Sequence, residues 1–139
     1  MEQCIVYFSS APNLSLEDLH TILTQSRSNN SQQGITGVIL YVKGNIIQVL
    51  EGEPTAVEQL YQRIQHDPRH GQISTVLNRP IIQRTFEKWS MGFETITTQQ
   101  LEEIKDLIDL EGTHGRGSQA NDPILLRTLK VFYQSNRYN

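Results

Sequence analysis

Gln48 lies between Ile47 and Val49 inside GITGVILYVKGNIIQVLEG, residues 34–52, where almost every other side chain is apolar. A primary amide carries two donors and an acceptor with two lone pairs, and burying it unpaired costs roughly 1–3 kcal/mol. Gln48 therefore either leans into water at an edge or faces a polar partner. If that partner is a ligand, the segment around it is the floor of a binding site. Other groups able to do chemistry stand at the borders of the apolar framework. Tyr7 is mid-strand on the face of Ile5, and Asn29 and Asn30 end the first predicted helix. Asp67, Arg69 and His70 follow the second helix in DPRH, while Trp89 and Met91 are two apart in the last predicted strand and so share a face. Each alone has an ordinary structural reading as a core residue, a helix end or a solvated loop.

Other chemistries find less support. GTHGRGS (112–118) has glycines but lacks the Lys-Ser/Thr ending and the preceding strand of a phosphate loop. His66 and His70 are four apart, but Pro68 between them breaks the helix a metal pair would need, so no metal is expected. Cys4, in a strand, reads as a small core residue. No carboxylate pair, Ser-His-Asp spacing or Cys-His pair emerges, and the chain is not expected to be an enzyme.

The elements that must position these residues follow from periodicity. Residues 3–9 are β-branched and aromatic and read as a strand. Ser15 and Asp18 form a capping box, with Leu14 and Leu19 as its hydrophobic staple, and the helix they open should fray near Asn29-Asn30. A hairpin over 35–50 turns at Gly44-Asn45. Pro54 opens a second helix with Val57, Leu60, Tyr61 and Ile64 on one face, and Asp67-Pro68 stops it. Residues 72–83 and 89–96 are strand-like, with Pro80 indicating a sheet edge or a bulge. The order β-α-β-β-α-β plus one strand is the ferredoxin-like α+β plan, a sheet with two helices on one face. In that plan the first and third strands are neighbours, so Tyr7 and Gln48 can meet between the two helices. Thr97–Gln100 resembles a capping box for a third helix, and Asp122-Pro123 opens a fourth, with the flexible segment 112–121 between them. Residues 1–96 thus form one domain and 97–139 a helical extension suited to the sheet's other face.

Composition bounds the function. The chain has 139 residues, twelve Lys and Arg against fifteen Asp and Glu, a net charge of −3 and one cysteine. Such a charge makes no case for nucleic acid, and no apolar run has the length of a membrane span. There is no basic segment before an apolar stretch at the N-terminus, and a cytoplasmic protein without disulfides is expected.

The spaced motifs are similar to those of BLUF domains, sensors of blue light using flavin. The likeness runs from Ile5 to about Phe93. Tyr7, Asn30 with the following GITG, the Gln48-x2-Leu-Glu-Gly turn, Asp67-Pro-Arg69-His70 and Arg84-x-Phe86-x2-Trp89-x-Met91-Gly92 carry it. The resemblance implies FAD between the two helices, with FMN or riboflavin as other flavin forms. It implies that Tyr7 donates an electron and a proton to photoexcited flavin and that Gln48 bridges its hydroxyl to the ring. Asn30, favoured over the adjacent Asn29 by its spacing to Gln48, would bind the pyrimidine edge. Asp67, Arg69 and His70 would gather at the ring's far edge and the ribityl chain, and Ile22 would pack on a ring face. Trp89 and Met91 would compete for the place beside Gln48 and relay its change. The expectation is a stand-alone photoreceptor that signals to a downstream protein and self-associates. The alternative is a flavin-free ferredoxin-like interaction module.

Overall fold

Among the described residues five apolar segments become strands and three amphipathic ones become complete helices. Their order is β1 (Glu2–Ser10), α1 (Leu16–Gln33), β2 (Thr36–Val42), β3 (Asn45–Gly52), α2 (Pro54–Gln65), β4 (Gly71–Ile81), β5 (Gly92–Thr95) and α3 (Thr98–Glu111). The computed structural model describes residues 1–12, 14–68, 71–111, 128, 130 and 131. The linker expected over 112–121 lies outside the described residues. So does most of the fourth helix, although Thr128, Lys130 and Val131 are helical.

The strands form one sheet in the order β4-β1-β3-β2-β5. Every neighbouring pair is antiparallel except β2 and β5, which are parallel. This is the expected ferredoxin-like α+β plan with one added strand. Pro80 falls on the edge strand β4, where a missing N–H costs no central ladder bond, and β1 and β4 pair with register shifts between Val6 and Tyr7 and between Phe8 and Ser10.

Alternation of side chains divides the sheet into two cores. Ile5, Tyr7, Ile39 and Leu50 pack with Leu19 and Leu23 of α1 and Val57 and Tyr61 of α2. Cys4, Val6, Val38, Leu40, Ile47 and Val49 face the other way, against Leu101 and Ile104 of α3 and against Val131. Capping follows the sequence closely. Ser15 Oγ accepts from Asp18 N–H at 3.0 Å while Asp18 accepts from Ser15 N–H at 3.2 Å, and Thr97 and Gln100 exchange the equivalent bonds at 2.9 and 3.0 Å.

The end of α1 and the hairpin turn depart from expectation. α1 does not fray at Asn29-Asn30 but runs to Gln33, because Asn30 is buried and its side chain holds a tertiary hydrogen bond that outweighs its weak helix propensity. The hairpin turns at Lys43-Gly44, with φ of 46° and 80°, rather than at Gly44-Asn45. A two-residue turn of this hand needs positive φ at both central positions. Asn45 instead begins β3, and its Nδ2 donates to Val42 O at 3.3 Å.

Candidate functional site

The antiparallel register of β1 and β3 places Tyr7 directly opposite Gln48, and the β2–β3 register places Ile39 on Gln48's other side. All three face α1 and α2. The Tyr7 hydroxyl donates to Gln48 Oε1, and Gln48 Nε2 donates to Met91 Sδ at 3.4 Å. Tyr7 and Gln48 are only 2% and 6% exposed, so this network is nearly dry. Its weak link is the thioether. A sulfur is a poor acceptor for a buried amide, which leaves Gln48's donors available to a better one.

Above this floor a partly open cavity of about 200 Å³ separates the two helices. Its α1 wall carries Ile22, Gln25, Ser26, Asn29 and Asn30, a stripe at helical spacing. Leu60, Arg63, Ile64 and Asp67 line the α2 side, and Ile39 and Ile46 flank Gln48. Apolar walls with amides at the edges suit a flat heteroaromatic ring that carries hydrogen-bonding atoms on its rim. The residues present fit a flavin ring, with Ile22, Ile39, Leu60 and Ile64 as apolar contacts and Gln48, Asn29 and Asn30 as its hydrogen-bonding partners.

Burial raises the Tyr7 phenol above its usual value, and the nearby Tyr61 and Asp67 raise it further. Tyr7 is therefore a neutral phenol at physiological pH, with a proton to give when it is oxidised. Tyr61 stacks against it, ring centroids 5.4 Å apart and tilted by 41°, and hydrogen-bonds Thr75 Oγ1.

The site residues expected from the sequence mostly converge. Tyr7, Ile22, Asn29, Asn30, Gln48 and Asp67 all line the cavity, while Arg69 and His70 lie outside the described residues. Asn30 is 1% exposed and donates to Ser90 O at 3.0 Å. The expectation that Trp89 and Met91 share a face of the last strand is corrected. Both precede β5, and their side chains part company: Met91 joins the helix-side core, and Trp89 packs on the opposite core, 6.4 Å from the Phe86 ring centroid. The reason is the path of residues 82–91, which cross from β4 at one edge to β5 at the other and pass from one face to the other on the way. The sequence reading missed Arg63, although its place one turn after Leu60 in α2 pointed to the same side. It also missed Arg27, whose Nε donates to Met91 O at 2.9 Å. Nothing local signals that bond, since 64 residues separate its ends.

The family model described as sensors of blue-light using FAD matches residues 3–92. Photoactivated adenylate cyclase subunit beta of Euglena gracilis is 39% identical over 93 residues, which is 66% of this chain and 11% of that protein. The chain thus spans about a tenth of the length of such curated relatives. Among solved structures, the BlsA ground state is similar with a TM-score of 0.72 at 28% identity, covering 95% of this chain and 88% of that one. The dark state of BlrB, a BLUF protein, is similar with a TM-score of 0.70 at 30% identity, covering 94% and 95%. The chain belongs to the BLUF family, blue-light sensors that bind a flavin.

Proposed function

We propose that this chain senses blue light through the Tyr7–Gln48–Met91 path and passes the change to another protein. The observation that carries the reading is the buried hydrogen bond from Tyr7 to Gln48 at the floor of the cavity, with a thioether accepting from the amide. When bound, flavin supplies blue absorption and a strong electron acceptor in its excited state. Tyr7 would be the electron and proton source for that acceptor, its proton leaving Oη along the hydrogen bond it already makes to Gln48 Oε1. Gln48 would relay that proton and stay neutral, giving up one from Nε2, and its amide would then present a different donor pattern to the cavity. In a dry site this rewiring carries weight, because low dielectric strengthens matched bonds and penalises unmatched ones. In darkness Tyr7 would regain both electron and proton, leaving no net chemistry.

Asn29 and Asn30 orient the ring edge in this reading, Asp67, Arg69 and His70 attend its far side and the ribityl chain, and Ile22 packs on its face. The cavity suits the ring system, which FAD, FMN and riboflavin share, so each would be addressed by the same residues. Met91 and Trp89 carry the change in Gln48 into the 82–91 crossover. Residues 1–96 act as the sensing domain and 97–139 as a helical extension. The chain itself is not an enzyme, works in the cytoplasm and signals to a downstream protein, with self-association through the extension. Neither nucleic acid nor membrane is a partner; no helix among the described residues is long and apolar enough to cross a membrane.

Absorption spectra of the protein purified in darkness, taken before and after a blue flash, test the reading. A flavin band that shifts to the red and recovers in the dark is expected. A colourless protein that takes up no added flavin would refute it and favour the flavin-free interaction module.

A further inference from the structure

The 82–91 crossover is held from beneath by a residue outside the flavin cavity. Glu51 follows Gln48 by three positions in β3, so it faces the opposite side of the sheet, where its side chain is fully buried at 0% exposure. Its carboxylate accepts from the backbone N–H groups of Thr85 at 2.7 Å and Phe86 at 2.8 Å, and from the Thr36 hydroxyl at 3.4 Å. Beside it Arg84 donates from Nε to Glu2 at 2.7 Å and from Nη1 to Thr36 Oγ1 at 3.2 Å. The bonds then run on through the backbone. Phe86 O accepts from Trp89 N–H at 3.2 Å, and Trp89 O accepts from Gly37 N–H at 3.0 Å. Two residues later the chain has changed faces, and Met91 Sδ meets Gln48.

A carboxylate that binds two consecutive backbone N–H groups fixes the course of the chain itself. It has one oxygen for each donor. An amide in its place has one oxygen and sets its own N–H₂ against the second donor. We propose that Glu51 is a positioning residue: its clamp on Thr85 and Phe86 sets the crossover so that Met91, and not Trp89, stands beside Gln48. The inference rests on Gln48 and Met91 forming the start of the signalling path.

The composition provides the probes, since Trp89 is the only tryptophan and the two methionines are exposed Met1 and buried Met91. The experiment uses the full chain as purified, kept dark, with ¹³C-methyl methionine and ¹⁵N-indole labels. In Glu51→Gln the Met91 methyl resonance should move towards that of Met1. The Trp89 indole resonance should shift, and acrylamide quenching of Trp89 should at least double. Ile47→Ala, which weakens the same far-face core but removes no hydrogen bond to the crossover, should move the three readouts less than Glu51→Gln does. Unmoved resonances in Glu51→Gln, or an equal movement in Ile47→Ala, would overturn the proposal. Should Glu51→Gln not fold, Thr36→Val removes one of the three donors and decides alone: a smaller movement in the same direction supports the clamp, and none refutes it. The readout needs neither flavin nor light, so it fails or succeeds separately from the photoreceptor reading.

Discussion

At the scale of the residue, the chemistry is concentrated in a phenol and an amide that share one hydrogen bond. Tyr7→Phe keeps the ring and removes the donor, so flavin should still bind while the light-induced red shift disappears. It also leaves the buried Gln48 Oε1 without that donor, and urea unfolding should show a loss of roughly 1–3 kcal/mol. Gln48→Leu should abolish the red shift by the other route, because no amide remains to rewire. The raised affinity of Tyr7 for its proton gives a pH prediction. Above the unfolded-state value of about 10, an unfolded chain releases the phenolic proton while the folded chain keeps it. Tyr7's contribution to stability is therefore complete below about pH 10 and is lost as pH rises towards its folded value. Denaturation of wild type and Tyr7→Phe on either side of about pH 10 should show the gap between them narrowing as pH rises, by up to about tenfold in the folding equilibrium per pH unit. Gln48 was legible because an amide in an apolar run demands a partner. Glu51 sends the same signal from the same strand, yet its role could not be read, since its partners are backbone N–H groups of a crossover 34 and 35 residues away.

At the scale of the element, register decides which side chains meet. A hairpin turning at Gly44-Asn45 would set Tyr41 opposite Gln48; turning at Lys43-Gly44 sets Ile39 there. Capping boxes and Pro54 were readable because they involve neighbours in sequence. The positive φ of Lys43 was not, because local preference favours a glycine or asparagine there and the sheet register overrides it. Gly37 shows the sheet's demands at closest range. A Cβ at this position would lie 1.8 Å from Val49 O, so β2 and β3 could not pair as they do. Gly37→Ala should cost about 3 kcal/mol or more. It should also loosen Trp89, whose carbonyl accepts from Gly37 N–H. Thermal unfolding followed by circular dichroism measures the first effect, and Trp89 fluorescence the second.

At the scale of the whole molecule, a five-stranded sheet has two faces, and α1 and α2 occupy only one of them. α3 contributes Leu101 and Ile104 to the other core, beside Cys4, Val6 and Phe86. Ile104→Ala should therefore behave as a core truncation, costing about 2–5 kcal/mol in chemical denaturation. A loss below about 0.5 kcal/mol, typical of surface sites, would show that α3 is not part of this core in solution. The 82–91 crossover then joins the two faces, with Phe86 and Trp89 in one core and Met91 in the other. On the proposed reading, a change at Gln48 would reach the face that carries α3 through this crossover.

The sequence by itself determined the order of the elements, the helix caps and the pairing of Tyr7 with Gln48, because each rests on local periodicity, neighbouring polar groups or a strand order that one fold plan implies. The photochemical roles of Tyr7 and Gln48 came from the resemblance of the spaced motifs to BLUF domains, since the residue types alone also admit ordinary core readings. Only the tertiary structure decided the length of α1, the turn that puts Ile39 beside Gln48, the parting of Trp89 from Met91 and the clamp of Glu51. Those features depend on hydrogen bonds between distant segments, and their energies outweigh the local preferences that a linear reading weighs.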